Sequence, residues 1–110
     1  MKSIIRLFAF ACVALCTYAA AGPAEDFDRG YRLAEEKGCF DCHALGYTDA
    51  GPSFRAIAQR YRFDPEYVAL LPFIIRGGSA GHWGERFVMW PRRGLTDQEV
   101  EVLVDWIMSQ

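Results

Sequence analysis

Two cysteines and a histidine in the run Cys39-Phe40-Asp41-Cys42-His43 carry the most specific chemical information in this 110-residue sequence. The Cys-x-x-Cys-His pattern is the attachment signature of a c-type haem. Two thiols at this spacing can add across the two vinyl groups of one porphyrin, and the histidine that follows can bind the iron. The pattern therefore predicts one covalently bound haem c, held by thioether bonds from Cys39 and Cys42.

Three other uses of this cysteine pair are weaker. A thioredoxin-like redox pair expects a preceding strand, whereas residues 26–37 are predicted to form a helix. A structural zinc site needs a second ligand pair at regular spacing, and the other cysteines, Cys12 and Cys16, lie in the N-terminal segment. A disulfide between Cys39 and Cys42 would close a very small, strained loop.

The first 21 residues have the plan of a secretory signal peptide. A charged start with Lys2 and Arg6 precedes an apolar run over residues 7–18, and small residues follow at 19–21. We expect cleavage after Ala21 and export to the periplasm. The alternative is an uncleaved anchor, because residues 4–21 are nearly as long as a membrane span of about 20 residues.

The remainder, residues 22–110, is expected to be a single small domain. It contains ten of the 12 basic residues and all 14 acidic residues, which gives a formal charge of −4 and disfavours nucleic-acid binding. Lys37 is its only lysine, so it has no lysine-rich ring for docking an acidic partner. A chain of this size is barely large enough for a self-sufficient core, so a buried porphyrin would also contribute apolar contacts.

The hydrophobic pattern predicts an all-α fold. Helices are expected over residues 24–37, ending at Gly38, and over residues 54–61. A third helix starts at Asp64, and Pro72 inside it is expected to kink it or break it in two. The last helix starts with a capping box at residues 96–99.

The segment from Ser79 to Leu95 is rich in glycine and aromatic residues and is expected to form an irregular functional loop. Because clear period-2 alternation is missing, no sheet is expected.

The second axial ligand of the iron has three candidates. Met89 lies in the loop, far from the motif, and is our prediction; His82 is its rival, and an open site is the third possibility. Met108 stands near the C-terminus and is expected to be an ordinary helix-end hydrophobic residue. Ligation by histidine and methionine raises the reduction potential and fills the coordination sphere, which favours electron transfer over oxygen chemistry.

These motifs together resemble the bacterial class I cytochromes c of the small c-551/c-552 (c8-like) type. The resemblance covers essentially all of residues 26–110. It rests on five stretches of sequence: Gly38-Cys39-Phe40-Asp41-Cys42-His43, Gly51-Pro52-Ser53-Phe54, Gly81-His82-Trp83-Gly84, Met89 with a nearby proline, and Asp105-Trp106-Ile107-Met108-Ser109-Gln110.

The resemblance implies a fold of three to five helices wrapped around one haem, in which the first and last helices cross. Trp106 would then lie near Gly30 or Ala34. Gly30 has an alternative interpretation as a tolerated surface glycine.

The resemblance also implies roles for six residues. Cys39 and Cys42 would form the thioethers, and His43 would bind iron through Nε2. The carbonyl of Pro52 would accept a hydrogen bond from the other ring nitrogen of His43. Trp83 would donate its indole N–H to a haem propionate, and Met89 would be the distal ligand.

The sequence departs from the family at Trp90, which intervenes before Pro91 where the family often has proline directly after the methionine. The loop between Trp83 and Met89 is also one residue longer. We expect Trp90 to pack over the haem edge, with partner docking as the alternative.

The implied function is that of a monomeric, diffusible periplasmic electron carrier and not an enzyme. Its partners would be redox proteins, such as an oxidase, a reductase or a quinol-oxidising complex, which dock transiently at the haem edge. One alternative is a haem subunit held permanently in a periplasmic oxidoreductase complex, with the apolar run at residues 70–75 as a contact patch. A ligand-sensing or peroxidatic haem protein is a third possibility, and it requires that Met89 does not bind iron.

Overall fold

The computed structural model describes residues 19–110, which contain four α-helices, a short 3-10 turn and a two-stranded sheet. The predicted all-α architecture is confirmed apart from the sheet. Most of the predicted signal peptide, residues 1–18, lies outside the described residues. Within residues 19–110, no helix has the length and apolar character needed to cross a bilayer. In chain order the elements are α1 (Pro23–Glu36), the 3-10 turn (Cys39–Asp41), α2 (Phe54–Tyr61), α3 (Pro65–Gly77), β1 (Ser79–Gly81), β2 (Gly84–Met89) and α4 (Asp97–Met108).

The helix-end signals in the sequence act as predicted. Gly38, directly after the cap of α1, adopts a left-handed conformation with φ of 73°. The carboxylate of Asp64 accepts a hydrogen bond from the Tyr67 N–H at 3.1 Å and caps α3. At the start of α4, the Thr96 hydroxyl accepts from the Glu99 N–H at 3.1 Å, and the Glu99 carboxylate accepts from the Thr96 N–H at 2.8 Å.

Helix α3 runs from Pro65 to Gly77 without a break, so it does not divide into two pieces at Pro72. Proline removes one backbone hydrogen bond from a helix interior. In α3, Leu71 and Ile75 flank the proline and are both buried in the core. Their burial holds the two halves of α3 in one helix despite the missing bond.

The prediction that the chain contains no sheet was wrong. Strands β1 and β2 pair antiparallel, with Ser79 opposite Met89 and Ala80 opposite Val88. Along β2, Phe87 and Met89 are half-buried while Val88 is exposed. Phe87, Val88 and Met89 are all apolar, so this alternation in burial is not visible in the sequence.

Helices α1 and α4 cross at Gly30, which is buried beneath the side chain of Trp106. A Cβ atom at Gly30 would overlap the Cβ and ring atoms of Trp106. The glycine is therefore required by close helix packing and is not a surface residue, which settles its two interpretations. A salt bridge of 2.9 Å between Lys37 and Glu99 also joins the end of α1 to the start of α4.

Candidate haem site

A single large cleft contains the predicted site residues. The empty space within it, including the open mouth, is about 1120 Å³. The 3-10 turn and the chain after it, helices α2, α3 and α4, and the hairpin of β1 and β2 all contribute walls. The lining from the helices is apolar: Phe54, Ile57, Tyr61, Leu71, Ile74, Ile75, Leu103 and Ile107.

The 3-10 turn brings the two thiols to the same cleft. Cys39 begins this turn and Cys42 is the residue that caps it. In a 3-10 helix the side chains at i and i+3 eclipse each other, so the spacing of two residues between the cysteines places both on one side. Both cysteines are half-buried, are not joined in a disulfide and line the cleft. Burial raises the pKa of the Cys39 thiol.

His43 is held by the backbone on one side of its ring. Its Nδ1 lies 2.6 Å from the carbonyl oxygen of Pro52. A carbonyl can only accept a hydrogen bond, so Nδ1 carries the proton and Nε2 keeps a free lone pair. Burial is the main influence on the imidazole and lowers the pKa of His43, which favours the neutral form that binds metals.

The neighbouring Gly51 permits this arrangement. A Cβ at Gly51 would lie 2.7 Å from Cε1 of His43 and 3.0 Å from its Nδ1. The Gly51 N–H also donates to the Cys42 carbonyl at 2.7 Å. A side chain at this position would therefore compete with the imidazole for the same space.

The hairpin supplies both candidates for the distal ligand. Met89, at the end of β2, lines the cleft and is half-buried against the core. His82 also lines the cleft, but it is exposed, and its carbonyl accepts from the Arg60 guanidinium at 2.7 Å. Met108 packs against the core without lining the cleft. The cleft thus contains both candidates that the sequence suggested and leaves Met108 outside.

Trp83 and Trp90 line the same cleft. Trp83 is half-buried, its ring lies edge-on to Tyr61 with centroids 6.0 Å apart, and the Arg60 guanidinium lies 4.5 Å from its ring centroid. Trp90 is 75% exposed. Its predicted packing over the haem edge stays a prediction.

The residues of the cleft fit a covalently attached porphyrin. Two cysteine side chains, a neutral imidazole with a free Nε2 and a thioether line a space whose walls are mainly apolar. A flat, largely apolar macrocycle with a central metal needs such a set of contacts.

Comparison with known proteins gives the same result. The model of the Cytochrome c family matches residues 27–110. The chain belongs to the cytochrome c family. Cytochrome c-552 of Hydrogenobacter thermophilus is 36% identical over 78 residues, which cover 71% of this chain and 78% of the relative. Cytochrome c-551 of Pseudomonas aeruginosa is 32% identical over 78 residues, which cover 71% of this chain and 73% of the relative.

Solved structures agree with the sequence comparisons. The crystal structure of wild-type Nitrosomonas europaea cytochrome c552 superposes with a TM-score of 0.67 at 32% identity. The match covers 72% of this chain and 96% of that structure. This cytochrome therefore has the class I fold and is of the small c-551/c-552 type. It carries one haem c, bound covalently through its cysteine pair, and it is an electron carrier and not an enzyme.

Phe40, between the two cysteines of the haem-attachment motif, makes contacts that the sequence did not reveal. The Phe40 ring contacts Tyr31, Phe54 and Trp106, with ring centroids 5.0, 5.5 and 6.0 Å apart. Phe40 thus anchors the 3-10 turn on the junction of α1 and α4. An aromatic residue between the cysteines was visible in the sequence, but its partners lie on three different helices, whose packing the sequence does not show.

A cation at the site was also missed. Arg92 lines the cleft, and its guanidinium donates to the Gly38 carbonyl at 3.3 Å. The sequence offered no signal for this contact, because the two residues are 54 positions apart.

Proposed function

We propose that this cytochrome is a periplasmic monohaem carrier of single electrons between respiratory redox proteins, and that His43 and Met89 bind its iron. The observation that carries the proposal is the cleft in which the Pro52-anchored imidazole and the half-buried thioether of Met89 meet the cysteine pair. Met89 has the better environment of the two distal candidates, because it packs against the core while His82 is exposed.

Each residue of the site has a distinct part in this proposal. Cys39 and Cys42 would hold the porphyrin edge covalently. His43 would bind through Nε2, and the Pro52 carbonyl fixes its tautomer and orientation. Trp83 would donate its indole N–H to a propionate.

Met89 completes the site from the hairpin. Haem iron, when bound, supplies the one-electron ferric/ferrous couple. The thioether of Met89 is neutral and favours the ferrous state, which raises the reduction potential. As a ligand it would also keep small molecules from the metal, so that the protein would only pass electrons on.

The proposed compartment and partners follow from the sequence. Residues 1–21 would be removed as a signal peptide, and residues 22–110 would form the mature periplasmic protein. A monomer would then dock its redox partners transiently at the haem edge, through a small interface. Mass spectrometry of the protein isolated from its native host tests the cleavage, with an expected N-terminus at Gly22.

The ligand set is tested by the absorption spectrum of the oxidised holoprotein. A weak far-red sulfur-to-iron band is expected for the wild type. Met89→Ala should abolish this band. It should also lower the reduction potential by more than about 59 mV, which is a tenfold shift of the one-electron equilibrium towards the ferric state. Met108→Ala is the matched control and should leave the band unchanged.

His82→Ala separates the two distal candidates. If the band survives in Met89→Ala, or if the wild type shows no band and His82→Ala changes the spectrum, ligation by Met89 is wrong. Rapid binding of carbon monoxide by the reduced wild type would instead support an open site and a sensing or peroxidatic role.

A second candidate function is that of a permanently bound haem subunit of a periplasmic oxidoreductase complex. One observation favours it: the outer surface of α3 exposes apolar side chains, with Leu70 at 45% and Phe73 at 71% exposure. Two other residues of the run at 70–75, Leu71 and Ile75, are buried and would not contact a partner. Purification from native periplasm and membranes separates the two functions: a free carrier elutes alone, whereas a subunit elutes with its complex.

A further inference from the structure

Arg92 connects three parts of the cleft that are far apart in sequence. Its backbone N–H donates to the carbonyl of Ile75 in α3 at 3.0 Å, and its guanidinium donates to the carbonyl of Gly38 at 3.3 Å. It lies only three residues after Met89. Ile75, Met89 and Arg92 itself all line the cleft.

The carbonyl that accepts from the guanidinium belongs to the residue before the haem-attachment turn, which is the 3-10 turn Cys39–Asp41 together with Cys42. Gly38 precedes Cys39, and its carbonyl also accepts from the Asp41 N–H at 3.2 Å, which begins the 3-10 turn. The Asp41 carboxylate and the Arg92 guanidinium both approach Gly38, at 2.9 and 3.8 Å from the position of a Cβ there. A charge-assisted bond at this carbonyl therefore bears on the turn that holds both thiols.

We propose that Arg92 is a positioning residue that clasps the loop after Met89 to the haem-attachment turn, and that its fixed positive charge raises the reduction potential of the haem. The inference rests on the proposed ligation by Met89. The clasp limits how far the loop can move away from the turn, which keeps the thioether in place. The charge disfavours the ferric state, because that state has one more positive charge than the ferrous state.

The charge of Arg92 lies close to the site: its guanidinium is 3.3 Å from the Gly38 carbonyl, and Arg92 lines the cleft. The guanidinium is only partly exposed, so solvent screens it less than a surface cation. An arginine also stays charged at any working pH.

Three variants of the holoprotein test the proposal. Arg92→Gln removes the charge and the fork of donors, and Arg92→Lys keeps the charge but not the fork. Arg93→Gln removes the same charge from the neighbouring exposed residue and is the matched control. Reduction potentials and the loss of the far-red band on heating are measured for each variant, beside the loss of helical circular dichroism.

We expect Arg92→Gln to shift the oxidation equilibrium towards the ferric state on the order of tenfold, about 59 mV, and Arg93→Gln by less than about twofold. Arg92→Gln and Arg92→Lys should both lose the band at a lower temperature than the wild type, while the helices persist. Arg92→Lys alone should keep the potential within about twofold of the wild type.

Two results would overturn the inference. Equal shifts in Arg92→Gln and Arg93→Gln would show that only the net charge matters, and a band that melts together with the helices at the wild-type temperature would exclude the clasp. If Arg92→Gln does not fold, the heating experiment on Arg92→Lys tests whether the bond from Arg92 to Gly38 keeps the Met89 thioether in place. A wild type without the far-red band would instead refute ligation by Met89, so failure of the proposed function is recognised separately.

Discussion

The position of the His43 ring depends on the absence of a Cβ atom at Gly51. The imidazole reaches the Pro52 carbonyl only because nothing occupies the space beside Cε1 and Nδ1. Interiors are packed densely enough that one added methyl group forces a shift of its neighbours.

Gly51→Ala should therefore destabilise the holoprotein by about 1–3 kcal/mol and change its reduction potential, because the ring must move away from its carbonyl partner. Denaturant unfolding and potentiometry measure the two effects. Gly46→Ala is the control, since its added Cβ meets only the flexible Arg55 guanidinium, at 3.1 Å. Equal stability of the two variants would contradict the role assigned to Gly51.

Among the secondary-structure elements, the crossing of α1 and α4 packs against the haem-attachment turn. Trp106 lies on Gly30 and also contacts Phe40 between the two cysteines, with ring centroids 6.0 Å apart. The junction of the helices is thus continuous with the haem-attachment turn. A change in the distance between the helices will be transmitted to the thiols through packed aromatic rings.

Gly30→Ala tests this junction. Although alanine is the better helix former by about 1 kcal/mol, the added methyl group overlaps Trp106, and we expect a net loss of about 1–3 kcal/mol of stability. Gly77→Ala, in the last turn of α3, has nothing within 4 Å of the new Cβ and should be neutral or stabilising by up to about 1 kcal/mol. Thermal unfolding compares the two, and a stabilised Gly30→Ala variant would disprove the close approach.

Over the whole molecule, charge is unevenly divided between the helical junction and the cleft. Helices α1 and α4 carry nine of the 14 acidic residues and only two basic residues, Arg29 and Arg32. Residues 38–96 carry seven arginines and five acidic residues. Arg60 and Arg86 lie over the rings of the cleft residues Trp83 and Phe87, at 4.5 and 4.6 Å from the ring centroids.

This distribution predicts that the mouth of the cleft attracts anions although the formal charge of residues 22–110 is −4. Oxidation of the reduced protein by ferricyanide should slow at least about twofold between ~0.01 M and ~0.15 M ionic strength. Arg86→Gln should weaken this salt dependence, whereas the same change at Arg29 on α1 should leave it nearly unaltered. Stopped-flow rates provide the measurement, and a reaction accelerated by salt would show that the net charge dominates.

The sequence predicted the four helices closely, because their ends are encoded locally. Asp64 with Pro65, the capping box from Thr96 to Glu99, and Gly38 each act within one helical turn. The hairpin was not predicted, because β1 has only three residues and the apolar residues of β2, Phe87, Val88 and Met89, are consecutive and show no period-2 alternation.

By itself, then, the sequence determined the cofactor, the family and the helical fold, because the haem-attachment motif and the helix caps are short patterns whose chemistry is local. Tertiary structure decided what surrounds the cofactor. It brought Arg92 to the Gly38 carbonyl, and it gave Phe40 its place beneath the attachment turn. These contacts depend on how helices and hairpin pack, and packing joins residues whose separation in sequence carries no signal.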